Sequence, residues 1–419
     1  MSRHAKDRRP HLPPVNRIEL SEENTRRRWV LLIALIVVAV VSIGLGIHYA
    51  LDVEPGWHEI QAQCDEPNYS GEFVLMYDFS QTGGDAAAEQ KTLSLLYSEA
   101  MEESYRIFDK DAQVDGLMNL HYLSTHPNET ITVAESLYAS LNLLASYDNR
   151  CIYLAPVYAE YNRILNAETE VEARLYDPRY DPDAAAYVAQ LMAFVREESA
   201  VSLELLGNNQ VILNVSEEYL SFAAENEILE FLDLGWLRNA FVADYTAQKL
   251  LDRGYTAGYL ASFDGYTRSL SNGGELNLNI FHREGTDIYA PARMTYQAPM
   301  SIVSLRDYPL SGRDLRYYHV YEDDTITSSL IDPKDGDCET SISGLTCYGR
   351  NVGCAEILLE MLPVFFDDSF NADRLKDMNA HGIHAIWCDT GILYCNDADL
   401  MLETFENAQG IRYRTEVVS

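Results

Sequence analysis

Basic residues are scarce in this 419-residue chain: 31 Lys and Arg face 65 Asp and Glu, for a net charge of −34. A surface of that sign repels phosphate backbones and anionic headgroups, which excludes nucleic-acid binding. The seven cysteines (Cys64, Cys151, Cys338, Cys347, Cys354, Cys388 and Cys395) include no C-x-x-C pair, and the ten histidines include no H-x-x-x-H pair. Those spacings exclude the usual zinc patterns. Internal repeats, low-complexity runs and the G-x-S-x-G nucleophile turn are missing too, which excludes a solenoid and α/β-hydrolase chemistry.

What the chain does have is one apolar run. Trp29 to Leu51 is 23 residues without a charge, enough at ~1.5 Å per residue to span a ~30 Å hydrocarbon core with some tilt. Arg26, Arg27 and Arg28 precede it, and Asp52 and Glu54 follow. The positive-inside rule then predicts a cytoplasmic basic tail over 1–28, a transmembrane signal anchor over 29–51 and an extracytoplasmic remainder. The location expected is the cell membrane, as a single-pass protein. A cleaved signal peptide would have a shorter apolar region, of ~7–15 residues, and a small-x-small site that Gly44, Gly46, His48 and Tyr49 do not supply. A buried core helix would carry a polar face. The tail holds a net +4, which leaves −38 for residues 52–419, a charge that suits solubility. All seven cysteines follow the run, where disulfides are permitted and an odd count leaves one thiol over. Cys388 and Cys395 flank a hairpin and are the candidate pair.

Residues 52–70, with Pro55, Gly56 and Pro67, read as a linker to one domain over 71–419. Apolar spacing predicts helices over 86–108, 133–146, 153–165, 183–198, 237–251 and 355–364. Thr132 is placed to cap the second of these through a capping box with Glu135, and Asp183 to cap the fourth. Strands are expected over 72–79, 257–263, 275–281, 298–305 and 317–322, with a terminal hairpin at 384–395. Gly207-Asn208-Asn209 between 201–206 and 211–215 predicts a further hairpin. The order is α+β with mostly antiparallel strands. Asp332 to Asp337 lacks calcium-loop spacing and reads as a turn.

Several segments resemble the ApbE family, the FAD:protein FMN transferases. They are Asn119–Thr132 with the helix after it, Leu232-Asp233-Leu234-Gly235 through Asp244, Ser262-Phe263-Asp264 at a strand end, Ile331-Asp332-Pro333-Lys334-Asp335-Gly336, and Cys354 to Glu360. The resemblance covers most of 70–405. It implies a T-fold-related α+β domain of mixed, mostly antiparallel sheets with packed helices, preceded here by a single transmembrane helix. It also implies FAD and Mg²⁺, transfer of FMN to a Thr of a target protein, and a flavinylated target or electron-transfer protein as partner. Mapped residue by residue, it places Asp264 and Asp332 in catalytic positions and Asn239, Ser262, Phe263 and Ser329 against the flavin. Glu356 and Glu360 then fall at the metal.

Several of these residues depart from the family pattern. Asn239-Ala240 stands for Lys-Gly, Ser262-Phe263 for Gly-Gly, Ser329 for His, Glu356 for Asp and Glu360 for Thr. A cation is lost, and a phenyl ring stands where backbone would approach a dinucleotide. Glu356 and Glu360 share a helix face at i, i+4, which suits either a hard divalent cation or a solvated acidic face. Three functions follow: an anchored transferase, a catalytically inactive ApbE-like binding module associated with a membrane redox complex, or a generic anchored surface domain.

Overall fold

The computed structural model describes residues 25–51, 55–81, 85–147, 149–270, 275–297, 299–389, 391–406, 410 and 412–418. The chain divides into two units, Met1–Val53 and Glu54–Ser419.

In the first, Thr25–Leu51 forms one helix, with side chains described from Trp29 to Ser42 and all of them exposed. Among the described residues no helix is long and apolar enough to cross a membrane. The anchor expected over 29–51 is taken up below as a proposal.

The second unit is built on a nine-stranded sheet among the described residues. Its spatial order is Trp57–Ile60, Phe73–Asp78, Gly258–Ser262, Tyr266–Ser269, Ser301–Arg306, Gly344–Gly349, Ile383–Asp389, Ile392–Cys395 and Arg414–Val417. Every pairing is antiparallel except the last. The α+β, mostly antiparallel reading holds. Helices Arg238–Asp252 and Cys354–Phe365 pack on these strands and on each other, and Ala86–Phe108 packs on the first of them. On the other face lies a three-stranded sheet of Glu275–Glu284, Asp287–Gln297 and Met401–Thr404. Leu276, Ile280, Met294 and Tyr296 join Ile302, Tyr348, Ile386 and Leu393 in the core between the two sheets.

Local chemistry explains most boundaries. Asp85 accepts from the amides of Ala87 and Ala88 and starts the Ala86–Phe108 helix. Asn208 and Asn209 both take positive φ, 51° and 61°, the primed-turn geometry of a two-residue hairpin between Val201–Gly207 and Gln210–Val215. Three expectations fail locally, and one strand goes unforeseen. Thr132 lies in the strand Thr130–Thr132, and the helix after it starts at Glu135 without a side-chain cap. Asp181, not Asp183, caps the next predicted helix, because Pro182 takes its first position. The strand Trp57–Ile60 falls inside the stretch read as a linker and pairs with Phe73–Asp78. Asp287–Gln297 carries no strand signal because Pro291 interrupts it; the proline sits at a register shift, where its missing N–H is tolerated.

Cys388 and Cys395 are both free and buried. Cys388 is paired in register with Leu393 and Cys395 with Ile386. The two are therefore diagonal neighbours, ~7–8 Å apart on one face and beyond disulfide reach.

Candidate functional site

Asn239, in the first turn of the Arg238–Asp252 helix, is 2% exposed. Its Nδ2 donates to Glu72 Oε2 at 2.8 Å and to Asp264 Oδ2 at 2.9 Å, joining two carboxylates through one amide. Arg238 Nη2 donates to both Glu72 oxygens at 2.7 and 2.8 Å, and the Tyr317 hydroxyl donates to Oε2 at 2.8 Å. The Arg238 guanidinium stacks 4.3 Å above the Tyr69 ring. Burial raises the Glu72 pKa, but Arg238, Asn239 and Tyr317 outweigh it and hold the carboxyl below its ordinary value. Asp264 goes the other way: burial lifts it to about 6, and neighbouring Glu72 adds to the rise. Ser262 accepts from the Tyr266 amide at 3.0 Å and so shapes the turn that presents Asp264.

Ser329 donates its amide to the Tyr317 carbonyl at 2.8 Å and lines an adjoining cavity of about 200 Å³ with Glu72, Lys110, Arg238 and Tyr317. Asn239, Ser262 and Asp264 thus fall in one network with Ser329 beside it. Phe263 does not join that cavity: its ring lines a separate chamber under Arg313. Glu72, Arg238 and Tyr317 went unnoticed in the sequence. Glu72 lies 166 residues from Arg238 and carries no motif of its own.

Asp332 and Glu360 line a second cavity, of about 610 Å³. Asp332 is 7% exposed, accepts from the Lys334 amide at 2.8 Å, and is lifted by burial to about 6. It heads the expected turn, which closes with the Gly336 amide on the Asp332 carbonyl at 2.9 Å. Glu360 accepts from the Tyr147 hydroxyl at 3.1 Å and contacts His381 Nδ1 at 2.8 Å. Glu356 sits in the first turn of the same helix, where the helix dipole favours a carboxylate. Burial first, and then Glu360 and Glu356, push the Tyr147 hydroxyl up to about 12. The two glutamates do share a face, as their spacing predicts. Among the described residues no group of three or more His, Cys, Asp or Glu is placed to hold a metal ion.

The other acids of the matching segments carry structure. Asp233 accepts from the Gly235 amide at 2.7 Å. Gly235 takes φ +52°, and a Cβ there would meet the Tyr158 ring at 2.3 Å, so only glycine fits. Asp244 accepts from the amides of Cys354 and Ala355 at 2.8 and 2.9 Å, capping one helix from another, and lies 3.3 Å from Arg268.

No protein-family model matches the chain, and no curated protein matches it in sequence. Among solved structures, the ApbE protein from Thermotoga maritima matches with a TM-score of 0.54 at 13% identity, over 85% of this chain and 99% of that one. The flavin transferase ApbE from Vibrio cholerae matches with a TM-score of 0.48 at 12% identity, over 84% and 97%. The chain has an ApbE-like fold.

The residues to which the resemblance assigns FAD and Mg²⁺ already make contacts within the protein. The family's lysine position holds an amide already engaged by Glu72 and Asp264. The adjoining cavity is about 200 Å³, and the one beside Asp332 and Glu360 is about 610 Å³, within the ~300–1,000 Å³ of ligand pockets. At the metal position Glu360 is engaged by Tyr147 and His381.

Proposed function

We propose that residues 54–419 form an ApbE-like binding module that has kept the flavin-transferase fold and lost the transfer chemistry. The observation that carries this reading is the closed network of Glu72, Arg238, Asn239, Asp264 and Tyr317. It links these side chains to one another, with Asp264 Oδ1 left without a partner, at the place where the resemblance expects a flavin. In this reading Trp29–Leu51 anchors the module, the basic tail lies in the cytoplasm and the acidic domain faces outward. Its partner is a protein of a membrane redox complex.

A transferase at the same cleft is the second reading. It is favoured by Asp264 and Asp332, both lifted by burial to about 6, near the range where a carboxylate serves as a general base. Titration of the full chain with FAD, with and without Mg²⁺, separates the two by flavin fluorescence and thermal stability. The module reading expects no binding at high micromolar FAD. Tight, Mg²⁺-sensitive binding overturns it in favour of the transferase.

A further inference from the structure

A second region offers what the network lacks, a buried cation short of partners. Arg306, at the end of the strand Ser301–Arg306, is 8% exposed. Its Nη1 reaches the Ser304 carbonyl at a long 3.4 Å, its Nη2 lies 3.6 Å from Asp314, and its Nε has no partner. A guanidinium carries five N–H donors, and leaving them unmade in a buried site is costly. Asp314 does not make up the deficit. Its Oδ2 accepts from the Leu310 amide at 2.9 Å and its Oδ1 from the Ser311 hydroxyl.

Arg306 lines a chamber of about 250 Å³ between the central sheet and the strand Glu275–Glu284. Ser304 and Thr346 stand at paired positions of neighbouring strands, with hydroxyls 2.9 Å apart. They give the floor a polar patch beside the guanidinium, while Phe263, Leu278 and Trp387 supply apolar wall. Arg313 adds a second positive charge 5.0 Å above the Phe263 ring. Size narrows the occupant. An apolar cavity of ~150 Å³ accepts a benzene ring, so this chamber holds one ring or a short alkyl chain together with a carboxylate.

The geometry points to a binding site for a small organic monocarboxylate, its carboxylate on Arg306 and its apolar body against Phe263, Leu278 and Trp387. The carboxylate would receive charge-assisted hydrogen bonds from the Arg306 Nη atoms, whose contacts within the protein are long, 3.4 and 3.6 Å, and would displace Asp314, which lines the same chamber, from that pairing. The chamber shares Ser262 and Phe263 with the residues the resemblance sets against the flavin, and the carboxylate site is expected whether or not flavin binds at Asn239 and Ser329.

Calorimetric titration of the full chain with benzoate and hexanoate, against benzamide and hexanamide, tests it. The acids are expected to bind and to shift the Arg306 Nε resonance, and the neutral amides are not. Arg306→Met should weaken acid binding by roughly 10- to 100-fold, the ratio of a charged hydrogen bond. Leu278→Trp fills the chamber while leaving Arg306 in place, and should abolish binding with the fold intact. Equal binding of acids and amides, or no acid binding at millimolar concentration, overturns the proposal.

Discussion

Two polar regions of one domain treat a buried arginine in opposite ways. Arg238 is matched: Glu72 takes it in two short bonds, Tyr69 covers its face, and Asn239 and Tyr317 complete the same carboxylate. Arg306 is matched only loosely: its nearest acid, Asp314, lies 3.6 Å away and is also held by a backbone amide and a serine hydroxyl. A network whose members bond one another holds itself together, even with Asp264 Oδ1 left over. An unsatisfied cation in a chamber keeps its binding free energy for a guest.

The largest effect expected from breaking this contrast comes from Glu72→Ala. It leaves Arg238 half-buried without its carboxylate and should cost about 3 kcal/mol in chemical denaturation. Arg306→Met, which leaves Asp314 buried without its ion-pair partner but still holding Leu310 and Ser311, should cost less, about 1 kcal/mol. A cost equal to that of Glu72→Ala would erase the distinction. Between these lies Asp244→Ala, which uncaps Cys354–Phe365 and should cost about 2 kcal/mol, read as a lower urea midpoint at unchanged slope.

The smallest effect is on pH dependence. Asp264 and Asp332 are lifted by burial from 3.8 to about 6 in the folded protein, so the native state holds their protons more tightly than the unfolded chain does. Their contribution to stability is absent above pH 6 and grows as pH falls toward 4. Glu72 works with the opposite sign, losing stability only as it protonates at lower pH. Thermal melts should rise modestly from pH 7.5 to 5, and Asp264→Asn with Asp332→Asn should flatten that rise. An unchanged profile in the double variant would place the titration elsewhere.

Much of the frame was legible. Alternating apolar spacing gives the same face to neighbouring strands wherever they pair, and Asn208-Asn209 accepts the positive φ its turn demands, so these elements follow from local rules. The segments from Leu232 to Asp244 and from Ile331 to Gly336 were also readable, though Asp233 and Asp244 turn out to hold backbone amides. The Thr132 cap and the linker were misread because a strand pairing overrode the local signal in each case.

The sequence by itself determined the charge of the domain, which is a sum over its residues, and the α+β order and hairpin turns, which rest on residues a few positions apart. Only the tertiary structure decided that Asn239 would be held by Glu72, that Phe263 would line a different chamber from Ser329, and that Arg306 would be buried short of partners. Those outcomes depend on groups brought together across more than a hundred residues in one case and on the direction of a single side chain in another. Local propensity carries no information about which distant acid reaches a buried cation first.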